Sequence, residues 1–246
     1  MSRAARNFRI LGKTIKYAFI LLIILINVFL IWRVSITSDP ATVKSLSPND
    51  ALTKAYEKNP SLDSMFTQEQ RSTTSTDRNY GYFSVSQVVF IPEANQIQMI
   101  FKYNNGTLRR TQEDFGLESA PSRDEDVYDV SLLIVTDRTP DNKEDNLSSD
   151  ESAVAQTRIK PSYSVSEQRA LYNYRRLVFD LGELDLSELL DNGTLISVFA
   201  DVYYNGAIDY NKESYGTLCL YDYITETSPV KLSSAEKKAL EEYIAK

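Results

Sequence analysis

The chain has 246 residues, 27 of them basic and 34 acidic, for a net charge of −7, and 42% of its residues are hydrophobic. It has no histidine and one cysteine, Cys219. That excludes Ser-His-Asp and Cys-His machinery, histidine-ligated metal, an internal disulfide and a thiolate zinc site. None of the 8 glycines has GxGxxG or P-loop spacing, so no nucleotide or other cofactor and no metal is expected.

Residues 1–16 carry Arg3, Arg6, Arg9, Lys13 and Lys16 with no acidic residue, and read as a basic cytoplasmic segment. From Tyr17 to Trp32 the chain is apolar except for Asn27, and Val34 and Ile36 extend the run. We expect a single-pass signal-anchor helix over 17–36, with the lipid bilayer as its partner. Tyr17 and Trp32 stand where interfacial aromatics belong, and Asn27 is the one amide in mid-span. The apolar core exceeds that of a cleaved leader, and Trp32-Arg33 follows it in place of a small-residue cleavage site. Six of the 27 basic residues lie at or before Arg33, leaving 21 against all 34 acidic residues, a balance of −13. The positive-inside rule then puts the N-terminus in the cytoplasm and the C-terminus outside it. An exported portion with no disulfide suggests a bacterial cell envelope.

Residues 37–79 read as a stalk with one short helix near 48–58. Ser47-Pro48-Asn49-Asp50 supplies a helix start, and Asn59-Pro60 a stop. Gln68–Arg78 has no apolar residue and reads as a tether.

From Tyr80 the period changes to two. Ile97, Met99, Phe101 and Tyr103 share one face against Gln96, Gln98 and Lys102. Tyr128, Val130, Leu132 and Ile134 alternate with Asp129 and Ser131, and Ile196, Val198, Ala200, Val202 and Tyr204 with Ser197 and Asp201. Segments 80–91, 154–160, 171–181 and 215–224 are also strand-like. Of three Asn-Gly dipeptides, Asn105-Gly106 lies between two strand candidates and signals a hairpin; Asn192-Gly193 and Asn205-Gly206 mark further turns. The fold expected over 80–232 is a mostly β, Ig-like antiparallel β-sandwich of seven or eight strands. Ser233 and Glu236 form a capping box opening an amphipathic helix over 233–246, whose apolar stripe is Leu240, Tyr243 and Ile244.

Sixteen tyrosines are many, and several gather late in the chain. Phe199, Asp201 and Tyr203 share one face of their strand, and Tyr221 and Tyr223 alternate away from Leu218 and Leu220. If the two strands pair, these rings form a platform with Asp201 and Asn205 at hand, suited to sugars or extended peptides. Asp201 and Asp222 are the one carboxylate pair worth weighing for glycoside hydrolysis. The acidic stretch Asp137–Glu151 fits no EF-hand template for Ca²⁺. Cys219 reads as a buried strand cysteine.

The reading from sequence is a membrane-anchored, extracytoplasmic, non-catalytic binding or scaffolding domain whose partner is an envelope protein. The alternative is a glycan- or wall-binding module using the tyrosine face, and a carboxylate hydrolase comes third. Nucleic acid is not an expected partner of an exported portion at −13.

Overall fold

A computed structural model describes residues 3–68, 83–123, 126–138, 153–207 and 214–245. The chain divides into two units, one ending at Ser38 and one beginning at Asp39. The first is a single helix, α1 (Arg3–Thr37). Within it Thr14–Val34, 21 residues, is long and apolar enough to cross a membrane, with a mean hydropathy of 2.5 over its most apolar 18-residue window. Those residues rise about 32 Å at 1.5 Å each, which matches a hydrocarbon core of roughly 30 Å. Asn27 donates its amide to the Ile23 carbonyl one turn back (2.8 Å), so the polar group is satisfied within its own helix.

Among the described residues the second unit is mostly β, with ten strands in two antiparallel sheets. The strands are β1 (Phe66–Gln68), β2 (Phe83–Ile91), β3 (Gln96–Asn104), β4 (Tyr128–Arg138), β5 (Ala153–Ile159), β6 (Tyr163–Gln168), β7 (Tyr172–Asp180), β8 (Leu195–Tyr204), β9 (Gly216–Asp222) and β10 (Thr227–Pro229). The helices are α2 (Ala41–Lys44), α3 (Asp50–Lys58), α4 (Asn105–Phe115), α5 (Leu186–Asp191) and α6 (Ser234–Ile244). One sheet has the order β10-β1-β2-β3-β7-β6, the other β5-β4-β8-β9. Ten strands replace the seven or eight expected. The additions include the short pair β1 and β10, whose three residues each carry too little pattern to read from sequence.

The apolar alternation places one face of each sheet on a shared core. Ile97, Met99 and Phe101 of β3 and Leu177 and Phe179 of β7 meet Val130, Leu132 and Ile134 of β4 and Val198, Ala200 and Val202 of β8. In β2 the inward set changes parity, from Phe83 and Val85 to Val88 and Phe90. A bulge between Val85 and Gln87 absorbs the extra residue and keeps all four on one side.

The six-stranded sheet is buried on its other face too, and this overturns the expected stalk. Residues 39–65 lie on that face with α6. Leu46, Leu52, Ala55, Tyr56, Leu62 and Met65 form a second cluster with Val89, Ile91, Leu232 and Leu240. Leu52, Leu62 and Met65 are at most 1% exposed, and burial on that scale stabilises by roughly 1.5–3 kcal/mol per side chain. The helix of this segment starts two residues later than the Ser47-Pro48 signal implies. Asn49 is its cap, accepting from the Leu52 amide at 2.9 Å. Of the expected tether, Gln68 belongs to β1 and is buried; residues 69–78 lie outside the described residues.

Two further expectations need correction. Asn105-Gly106 does not turn a hairpin but opens α4, because Asn104 and Thr107 form a reciprocal capping box. In α6 the Ser233–Glu236 capping box stands as read, yet only Leu240 of the apolar stripe is buried, while Tyr243 and Ile244 remain about two-fifths exposed.

Candidate functional site

The residues singled out for a binding platform fall mostly on the outer face of the four-stranded sheet. Val198, Ala200 and Val202 of β8 point into the core, so Phe199, Asp201 and Tyr203 point outward. The ladder aligns Asp201 with Ser131 on β4 and with Thr217 on β9, and Tyr203 with Asp129. That row builds a polar network. Thr217 donates to Asp201 Oδ1 (2.8 Å), and Arg158 of β5 reaches across β4 to Asp201 Oδ2 (3.0 Å). The same guanidinium donates to Ser131 Oγ (2.8 Å) and sits over the Tyr203 ring, 5.4 Å from its centroid. Ser214 shares a hydrogen bond with the Thr217 hydroxyl at 2.7 Å. Asp129 and Lys160 pair at 3.9 Å on the same sheet.

Asp201 is 5% exposed and Tyr203 4%, although both lie on an outward face. The arginine laid over them accounts for this, since its aliphatic stem and flat head cover a ring well. Chemically, the network ties all four strands of the sheet together through one carboxylate whose two oxygens are both engaged.

The platform itself does not assemble. A bulge between Val198 and Phe199 pairs Val198 with Tyr221 and Phe199 with Cys219. Leu220 is the extra residue, and beyond it the faces exchange. Cys219 therefore shares the outer side with Phe199, whereas Tyr221 points into the core, with its ring 5.6 Å from Phe90 and 6.2 Å from Phe66. Tyr223 lies past the end of β9 and is 67% exposed. Asn205 turns away at the end of β8 and donates to the Asp126 carbonyl (2.9 Å). Phe199, Asp201 and Tyr203 are thus brought together; Asn205, Tyr221 and Tyr223 are not.

Asp201 and Asp222 do not face each other either. Asp222 pairs with Ser197, four residues from Asp201 along β8. That is about 13 Å of strand, beyond the roughly 5–9.5 Å separation of paired glycosidase carboxylates. Among the described residues no group of three or more Asp, Glu, Cys or His is placed to hold a metal ion. Of the acidic stretch considered for Ca²⁺, residues 139–151 lie outside the described residues. Cys219 is 9% exposed. Burial first, and the nearby Asp222 charge second, push its thiol pKa up, away from the reactive thiolate.

Arg158, Ser131 and Thr217 are the site members that sequence reading missed. The signal available was Arg158 alone among AVAQTRI, a cation in an otherwise uncharged strand. Its role depends on strand order, which no local pattern reports.

Other polar side chains are buried on the opposite side of the molecule, under residues 39–47. Arg176 of β7 is fully buried; it donates to the carbonyls of Val43 (2.6 Å) and Lys44 (2.8 Å) and to Gln87 Oε1 (2.7 Å). No carboxylate pairs with it among the described residues, and burial lowers its pKa to about 10. A third group of interest is aromatic. Tyr103 and Phe83 pack on the Tyr128 ring at 4.8 and 4.9 Å, and Tyr215 joins them through Phe83 at 5.6 Å.

Comparison of the chain with protein-family models, with curated proteins and with solved structures gave no match.

Proposed function

We propose that the chain is a single-pass membrane protein, cytoplasmic at its N-terminus, that presents its two-sheet domain outside the cytoplasm as a non-catalytic binding or scaffolding module for another envelope protein. The likeness to an Ig domain is one of layering, two antiparallel sheets over one core, and not of strand order. The anchor rests on α1, whose apolar side chains from Ile15 to Val34 are all at least 43% exposed where large hydrophobics are concerned. The basic residues before it and the −13 balance after it support the orientation.

One observation favours protein binding. Strand β5 pairs with β4 and with no other strand among the described residues. Its sequence AVAQTRI has no proline, lysine or acidic residue of the kind that blunts an edge, and Val154 is 46% exposed. Such an edge accepts an added strand, with main-chain hydrogen bonds for affinity and alternate side-chain contacts for selectivity. The glycan reading has less support, because the tyrosine platform is dispersed between core and surface.

In-cell photo-crosslinking from Gln156 on β5, with Ile224 as the control position, tests this. The proposal expects capture of one defined protein from position 156 that is lost in a Val154→Lys variant of unchanged stability. Capture of glycan, or equal capture from position 224, would overturn it.

A further inference from the structure

Residues 39–47 cross the outer face of the six-stranded sheet as a strap. Asp39 lies 3.8 Å from Lys102, Thr42 bonds Glu167, the Val43 and Lys44 carbonyls accept from Arg176, and Ser47 bonds Gln98. The strap therefore runs along β3 from Lys102 back toward Gln98, and its one turn of helix, α2, packs on β6 and β7.

Its two parts are held by different means. Leu46 is buried in the cluster around α3 and its amide donates to Glu236 Oε1 (3.0 Å), while Ser47 exchanges two hydrogen bonds with the buried Gln98. Residues 39–45 bury only Pro40 and Val43. Val43 packs with Ile100 and Tyr174 in a small cluster apart from both larger ones. Helix α2 has four residues and opens at Pro40 without a side-chain cap, too short to persist by itself. The Asp39–Lys102 pair is about one-fifth exposed on both sides and adds little.

The strongest hold on residues 39–45 is Arg176, and it is offset. The guanidinium is fully buried, no carboxylate pairs with it among the described residues, and its Nη1 has no acceptor. Its bonds to the strap require a dehydrated cation, which returns to water when the strap leaves. Opening of residues 39–45 thus uncovers one small apolar cluster and exchanges main-chain bonds for hydration. The core between the sheets and the cluster around α3 stay closed.

We infer that residues 39–45 form a releasable strap, which leaves the sheet while α3 and both sheets stay folded and so lengthens the free chain ahead of the domain. Ser38 alone separates the end of α1 from Asp39. Release adds residues 39–45, up to about 24 Å of extended chain. This consequence rests on the anchor reading: a tethered domain gains reach toward its partner without losing its fold.

Hydrogen exchange of the full chain in nanodiscs, resolved to single amides, gives the first test. The Val43 and Lys44 amides both donate to the Pro40 carbonyl, and that of Thr53 in α3 to Asn49. The inference expects the first two to exchange at least about a hundred-fold faster than Thr53, at a rate that urea below the unfolding transition does not change. A second measurement asks whether the sheet beneath is uncovered. Ile100→Cys and Leu132→Cys, each in a Cys219→Ser background, are challenged with a thiol reagent; position 100 lies under the strap and position 132 in the core between the sheets. Faster, urea-independent labelling at position 100 supports the release. Labelling of both positions at one urea-dependent rate, or exchange of Val43 and Lys44 together with Thr53, would overturn it. Neither measurement depends on the anchor, whose failure shows instead as release of the whole chain from membranes by alkaline carbonate.

Discussion

The side-chain amide of Gln98 binds the main chain of Ser47 as a neighbouring strand would. The Ser47 N–H donates to Gln98 Oε1 (2.8 Å) and Gln98 Nε2 donates to the Ser47 carbonyl (3.0 Å), with Gln98 fully buried. Gln68 does the same for Asp222, accepting from its N–H (2.7 Å) and donating to its carbonyl (2.8 Å). One glutamine fastens the strap to the six-stranded sheet, and the other joins β1 of that sheet to the end of β9. Each satisfies a backbone donor and acceptor that no strand partner reaches.

Gln98→Leu therefore orphans two main-chain groups in an interior where each unsatisfied group costs about 1–3 kcal/mol. The expected destabilisation is roughly 2–4 kcal/mol in urea unfolding of the full chain. Gln98→Glu, which keeps the acceptor but loses the donor, also destabilises. A loss below about 0.5 kcal/mol for the leucine variant would mean that the amide pair does not hold the strap.

Arg176 acts on the same strap by different means. Its three hydrogen bonds come from one planar fork, and its remaining nitrogen, Nη1, is buried without an acceptor. Lysine keeps the charge and loses the fork. Arg176→Lys should destabilise by about 1–3 kcal/mol and loosen residues 39–47 before the sheets open. Limited proteolysis with mapping of the first cut checks this. A first cut elsewhere, at wild-type rate, would contradict it.

What the sequence made legible were features carried by local pattern: the apolar helix, the period-two strands that fill the core, and the Ser233–Glu236 capping box. What it hid depended on partners distant in sequence. Gln96 and Gln98 alternate with Ile97 and Met99 as solvent-facing residues do, yet both glutamines are fully buried because a third layer covers them. Simple alternation along β9 puts Tyr221 on the outer face, but the bulge opposite Phe199 changes parity and turns it inward, and a bulge is defined by two strands, not one. Helix α4 escaped because Leu108 is its only buried apolar residue, so its period is faint beside the Asn-Gly signal. Of the candidate site, the shared face of Phe199, Asp201 and Tyr203 was readable, whereas Arg158 required the order β5-β4-β8-β9.

The Arg158–Asp201 contact should show strong coupling. The Asp201 side chain is 7% exposed and that of Arg158 30%. Arg158→Met strands a nearly buried carboxylate, for which the usual cost of about 3–5 kcal/mol falls toward 2 because the arginine side is partly solvated. Asp201→Asn in the same chain should recover about half of the loss, since the neutral amide keeps an acceptor for Thr217. A double-mutant cycle with coupling near zero would reduce the pair to a surface contact.

The tyrosines set the response to alkali. Burial raises the pKa of Tyr103, Tyr128, Tyr174 and Tyr221, and raises that of Tyr215 to about 12, its hydrogen bond to Asp114 adding to the effect. In the unfolded chain these phenols ionise near pH 10. Above that pH the unfolded state releases protons that the folded state retains, so stability present in full below about pH 10 is lost as the pH climbs toward 12. Arg176 runs the other way: with its pKa lowered to about 10, the folded state loses that proton first, which relieves the cost of burying the charge. Five phenols outweigh one guanidinium, and the net slope is negative. With no histidine, the melting temperature should stay nearly level between about pH 5 and 7.5 and then fall steeply above about pH 10. Tyrosinate absorbance should lag behind that of the urea-unfolded chain over the same range. A level melting temperature through pH 11, with the phenols titrating as in the unfolded chain, would show that the aromatic cluster is open to water.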